Sequence, residues 1–123
     1  MNAEINEVEV NGVKYVRKDS VSVPSVKLDG MEYKIVRTYS AGVFAGYVES
    51  RIGKEIVMRL ARRIFYWDGA ASLSELAMRG TSKPENCKFP CEVDKVLLTE
   101  AIEILDVTKT AKKSIDSVKV WTM

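Results

Sequence analysis

The sequence predicts an α+β domain, an antiparallel sheet built from hairpins with two short helices in the C-terminal half. Three observations carry this. Apolar and polar residues alternate around turn-forming pairs through the first half of the chain. A Ser-x-x-Glu capping box begins at Ser72. A second stretch with helical spacing follows Thr108.

Residues 7–17, EVEVNGVKYVR, alternate about Asn11-Gly12, a pair suited to the positive φ angles of a type I′ hairpin turn. Lys18 to Ser25, with Asp19 and Pro24, is a connecting loop. Asp29-Gly30 is the next turn, and in the MEYKIVRTY that follows Tyr33, Ile35, Arg37 and Tyr39 share one face. The strand Val43 to Ser50 meets a long strand from Lys54 through a third hairpin at Arg51-Ile52-Gly53. Ala41, Gly42, Ala45 and Gly46 crowd its start, as a bulge or tight bend would require; close approach of a ligand to the backbone is the functional alternative.

The strand from Lys54 runs on through Phe65-Tyr66-Trp67 to a turn at Asp68-Gly69. Strict alternation puts Ile56, Met58, Leu60, Ile64 and Tyr66 on one apolar face, with Arg62 intruding. It puts Arg59 and Arg63 with Phe65 and Trp67 on the other. Arg62 breaks the pattern, so either a bulge turns it outward or it is buried against a carboxylate or ligand. Ser72 caps the first helix and Gly80 supplies its C′ residue, with Leu73, Leu76 and Ala77 as the apolar stripe. A loop from Thr81 to Pro90 follows. Val93 to Val107 fits both a helical stripe and a strand pair; its β-branched content favours two short strands around Glu100-Ala101. Thr108 caps the second helix, KTAKKSIDSV, with Ala111, Ile115 and Val118 on one side, and Val118 to Trp121 adds a last strand. No linker divides the chain, so residues 1–123 form a single domain.

With 123 residues, 46% apolar and 29% charged, the chain has enough material for one core. A net charge of +2 argues against a nucleic-acid partner, and no apolar run is long enough to span a bilayer. The polar, acidic N-terminus lacks the basic and apolar regions of a secretion signal, so a cytoplasmic protein is expected. Histidine is absent, which removes Ser-His and Cys-His nucleophile arrangements and most catalytic zinc sites. No enzyme, metal or cofactor is expected. Cys87 and Cys91 are expected to be free thiols in a loop.

The candidate binding residues follow from charge and rings together. In ARRIFYW, arginine and aromatic planes can sandwich a base, and arginine can pair with phosphate. Arg59, Arg62, Arg63 and Trp67 are nominated there, Asn86 and Phe89 in the loop, and Lys109 and Lys113 on the second helix. Lys109, Lys112 and Lys113 crowd the helix start, where the dipole disfavours cations unless an anion visits. The alternative makes Phe65 and Tyr66 core and Arg59 and Arg63 a solvated sheet face.

This arginine-aromatic strand leading into WDGAASL, on a hairpin-built sheet followed by two late helices, resembles the phage Thoeris anti-defence sponges of the first type. The resemblance is one of architecture over most of the chain, and no family residue is carried over from it. It implies a homo-oligomer, dimeric or higher, that sequesters cyclic nucleotide immune signals without cleaving them. Those signals would be cyclic ADP-ribose isomers and, at separate sites, cyclic oligonucleotides of the CBASS pathways. The competing readings are a structural or protein-interaction domain and a module that stacks single-stranded nucleic acid on the same sheet face.

Overall fold

The computed structural model describes residues 7–10, 13–16 and 23–123. Strands β1 (Glu7–Val10) and β2 (Val13–Val16) pair antiparallel with Val10 opposite Val13, as a two-residue connection requires. The Asn11-Gly12 turn itself and residues 17–22 lie outside the described residues.

The main sheet contains β3 (Glu32–Thr38), β4 (Val43–Ile52), β5 (Glu55–Arg63), β6 (Glu92–Leu98) and β7 (Ala101–Asp106). Their order is β6-β5-β4-β3-β7, antiparallel throughout. The α+β class holds, with helices α1 (Leu73–Arg79) and α2 (Lys109–Asp116) in the C-terminal half. Residues 93–107 are strands, as their β-branched content indicates.

β6 and β7 are consecutive in the chain yet occupy opposite edges of the sheet, and only Thr99 and Glu100 link them. The sheet must therefore curl until its edges meet. Leu98 pairs with Ile56 of β5, Ala101 pairs with Thr38 of β3, and Ala101 N donates to Lys54 O at 3.0 Å. Inside the curl lies one core, to which Val36, Phe44, Ile56, Met58, Leu98 and Ala101 bring side chains from all five strands. The outer face carries a second core, in which Tyr33, Ile35, Ala45 and Ile64 pack against α1, α2 and Phe89.

The turns follow their chemistry. Asp29 and Gly30 both take positive φ, 49° and 79°, and Leu28 and Met31 exchange both backbone hydrogen bonds across them. The third hairpin is tighter than expected: β4 runs to Ile52 and β5 begins at Glu55, so the turn is Gly53-Lys54, with Gly53 at φ 60°.

The largest departure from strict alternation is at Leu60, which adopts φ 50°. Tyr47 pairs with Arg59 but Ala45 with Arg62, so β5 carries an extra residue there. This bulge exchanges the faces of the strand. Ile56 and Met58 point into the curl, whereas Ile64 joins the outer core. Arg59 and Arg63 consequently face opposite sides, against expectation. Gly46 is the counterpart of the bulge: a Cβ there would lie 2.8 Å from Ala61 Cα, so the crowding of small residues serves sheet geometry.

Three further expectations are corrected. β5 stops at Arg63, and of the aromatic triplet only Tyr66 keeps a bridge, to Lys88. Val118 to Trp121 makes a single bridge, Val120 to Phe89, rather than a strand. A register slip after Arg37 leaves Tyr39 exposed, so the face shared by Tyr33, Ile35 and Arg37 ends at Arg37.

Helix ends match their caps. Ser72 Oγ accepts from Glu75 N at 3.3 Å, and Glu75 Oε1 accepts from Ala71 N at 2.6 Å. Thr108 Oγ1 accepts from Ala111 N at 3.0 Å and donates to Met78 O at 2.7 Å, tying the start of α2 to the end of α1. No helix among the described residues is long and apolar enough to cross a membrane.

Candidate functional site

The four side chains nominated from the long strand are not brought together. Arg59 is half-exposed, with Nη1 3.0 Å from Glu49 Oε1 and Nε donating to Asp94 O at 3.2 Å. Arg63 lays its guanidinium over the Phe44 ring, 4.6 Å from the centroid. Trp67 packs at the margin of the outer core and donates Nε1–H to Ala70 O at 3.3 Å.

Arg62 is only 7% exposed and has no carboxylate partner among the described residues. Its guanidinium donates instead to four backbone carbonyls: Pro90 O and Phe89 O at 3.1 Å, Ile115 O at 3.1 Å and Val118 O at 2.7 Å. Two of those carbonyls lie at the C-terminal end of α2, where the dipole is negative; Ile115 O also accepts from Val118 N at 3.2 Å. Burial pushes the Arg62 pKa down, while Tyr33, Asp116 and Glu92 favour the charge. Arg62 is thus the clasp that fastens α2 and the 89–90 loop to the sheet, and it also borders the recess beside α2. Phe89 is fully buried beneath it, 5.3 Å from centroid to guanidinium carbon, with no surface for a ligand.

Asn86 serves the loop as well. It ends a 3₁₀ turn (Pro84–Asn86) and donates Nδ2–H to Asp68 Oδ2 at 3.0 Å. Gly69 N donates to the other oxygen at 2.9 Å, and Thr81 Oγ1 to Asp68 O. Cys87, buried and free, sits inside this knot 3.5 Å from Asp68 O; Cys91 is free and exposed. The hydrogen bonds from Asn86 and Gly69 hold the Asp68 carboxyl below the usual range. A lowered pKa contributes stability above the unfolded value, which is lost as pH falls through the folded one. Asn86→Ala is expected to raise the Asp68 midpoint toward an ordinary carboxylate, read by NMR titration of its carboxyl carbon. An unmoved midpoint would refute the assignment.

Lys109 and Lys113 do reach a common place, a groove between α2, the outer face of β3 and β4, and the chain at 24–28. Three adjoining recesses make it up. One of about 540 Å³ is bordered by Tyr33, Tyr47, Arg62, Lys112 and Asp116. A second of about 440 Å³ shares Tyr47, Lys112 and Asp116 and adds Lys27, Lys109 and Lys113. A third of about 230 Å³ reaches behind Tyr33 to Thr108.

The register of the β3–β4 hairpin sets Tyr33 directly opposite Tyr47, and their rings meet edge to face, 5.1 Å apart at 76°. Lys112 Nζ lies 4.7 Å from the Tyr33 centroid and 5.7 Å from that of Tyr47, and is 2.6 Å from Asp116 Oδ2. Burial opposes the Lys112 charge, but the hydrogen bond and attraction of Asp116 outweigh it and the pKa lies above the ordinary value. Tyr33 is 5% exposed, and burial pushes its phenol pKa up, so it remains a protonated donor. Among the described residues its hydroxyl has no hydrogen-bond partner, although buried phenols usually find one.

Lys112, Tyr33 and Tyr47 were not nominated from sequence. Lys112 was legible as the partner of Asp116 at i,i+4 and neighbour of Lys109 at i,i+3. The tyrosine pair depended on a register that sequence did not fix. Among the described residues no three His, Cys, Asp or Glu side chains group to hold a metal.

A family model described as a domain of unknown function, DUF6948, matches residues 31–115. No curated protein and no solved structure matches the chain. The matched span begins at the residue before β3 and ends within α2, so it takes in the whole curled sheet, α1 and, of the groove, Tyr33, Tyr47, Lys109, Lys112 and Lys113 but not the chain at 24–28 or Asp116. Covering well over half of the sequence, it shows that the chain belongs to the DUF6948 family.

Proposed function

We propose that this domain binds a small anion carrying a planar ring in the groove beside α2, and holds it without chemical change. The observation that carries this is the buried Tyr33 hydroxyl, a donor lacking a partner among the described residues beside a charged Lys112. Lys27, Lys109 and Lys113 at the rim favour an anion, and the Tyr33 and Tyr47 rings favour a flat partner. A recess of about 540 Å³ is of the size that takes a small molecule. The absence of histidine supports holding over turnover. Cyclic nucleotide immune signals join both chemistries, and sequestering them for a phage in the host cytoplasm is the role we assign.

The experiment is a thermal-shift assay with cyclic ADP-ribose and a cyclic dinucleotide, followed by chromatography of ligand recovered after denaturation. A ligand at a hundred times its Kd stabilises by about 2.7 kcal/mol, which raises Tm on the order of 10 °C for this size. Intact recovered ligand is expected. No shift with either nucleotide, or a cleaved product, would overturn the proposal.

A further inference from the structure

A second surface lies apart from the groove, where β5 gives way to loop. Three extended segments run side by side there. Tyr66 bridges Lys88 antiparallel, and Phe89 bridges Val120 in parallel. Phe65 N and Tyr66 N both donate to Lys88 O at 3.2 Å, Lys88 N to Tyr66 O at 2.8 Å, and Trp121 N to Phe89 O at 2.9 Å. This ladder fixes the backbone under three large rings. Phe65 and Trp121 stack with planes 8° apart and centroids 5.2 Å apart. Lys88 Nζ lies 5.9 Å from the Tyr66 ring and 5.6 Å from the Trp121 ring. Yet Phe65 is 61% exposed and Tyr66 50%.

Large rings ordered by backbone hydrogen bonds and left at the surface form a platform in which Phe65 and Tyr66 keep half or more of their area open to solvent. The charge nearest the rings is cationic, and the acidic Asp68, two residues beyond Tyr66, is engaged by Asn86 and Gly69. Lys88 touches two of the rings. Arg63, its guanidinium over the Phe44 ring, stands two residues before Phe65, and exposed Lys119 two residues before Trp121. A two-fold contact with another copy would set these cations against each other. The chemistry that complements the face is a chain of planar rings joined by anions.

We propose that this platform binds single-stranded nucleic acid, with bases stacked on Phe65, Trp121 and Tyr66 and phosphates at Lys88, Arg63 and Lys119. The net charge of +2, which argues against a nucleic-acid partner for the molecule as a whole, gives little long-range steering and sets the strength of binding rather than its place. Three cations on a single strand give a slope of about −2 in log K against log salt, a shallow dependence.

The test is fluorescence anisotropy of the full chain with a fluorescein-labelled oligothymidylate of about ten nucleotides at low salt. Phe65→Ala and Trp121→Ala are each expected to weaken binding about tenfold, the loss of one stacked base. Phe65 is mostly exposed, so its replacement leaves the fold intact, as an unchanged circular-dichroism melt would verify. Lys88→Gln is expected to make the salt slope shallower by about 0.7. A duplex, whose bases are already stacked, is expected to bind far more weakly. No binding at low salt, equal affinity for duplex, or unchanged affinity in both aromatic variants would overturn the proposal. So would finding that Phe65→Ala abolishes a homodimer while leaving oligonucleotide affinity unchanged.

Discussion

Replacing Arg62 with methionine is expected to lower the unfolding free energy by about 4 kcal/mol. The side chain is nearly buried and fills an interior position, so methionine keeps most of its volume while removing every donor. Four carbonyls, at residues 89, 90, 115 and 118, then lose their guanidinium hydrogen bonds, two of them at the end of α2. Phe89 O keeps Trp121 N and Ile115 O keeps Val118 N, so Pro90 O and Val118 O are the two left without a partner among the described residues, at roughly 1–3 kcal/mol each, partly relieved by water entering beside the loop. Arg62→Lys is not expected to rescue the fold, because one ammonium cannot span carbonyls from two directions as the planar fork does. Urea unfolding of the three proteins measures this directly. A loss below about 1 kcal/mol for Arg62→Met would mean that α2 is held by its apolar face alone.

Tyr33→Phe is expected to act in opposite directions on folding and on binding. Removing a buried hydroxyl that has no partner among the described residues abolishes a desolvation cost, so the free protein should be unchanged or more stable by about 1 kcal/mol. The same change removes the donor that the proposed function offers to an anion, and on that proposal affinity should fall about tenfold or more. Lys112→Met should weaken binding further, roughly thirty- to hundredfold, since it deletes a charge-assisted contact. Titration calorimetry with cyclic ADP-ribose and chemical denaturation, on the same preparations, separate the two quantities. Destabilisation by Tyr33→Phe would show that the hydroxyl already has a structural partner, and would remove the argument for a ligand there.

Much of the fold was legible because its signals are local. The positive φ angles of Asp29 and Gly30, the caps at Ser72 and Thr108, and the β-branched strands of residues 92–106 all depend on neighbours in sequence. A bulge was one reading of Arg62 and of the small residues 41–46, but its place at Leu60 was not legible, since leucine carries no preference for positive φ and only the cross-strand fit to Gly46 requires it. That one residue reversed which arginine faced which ring. The misfit of Arg62 in an apolar pattern was visible, and burial was one of its two readings. That its partners are carbonyls of residues 27 to 56 positions later is a tertiary fact. Of the candidate groove, sequence marked the lysines of α2 through their conflict with the helix dipole. It missed the tyrosines, whose meeting rests on β3–β4 register.

Amide-resolved NMR during titration with cyclic ADP-ribose and a cyclic dinucleotide is the most direct test of a groove that holds an anion. Shifts concentrated in residues 24–28, at Tyr33 and Tyr47, and along Lys109 to Asp116 are expected, saturating with the ligand intact. Spectra unmoved by both nucleotides, or shifts confined to the far edge of the sheet, would contradict it.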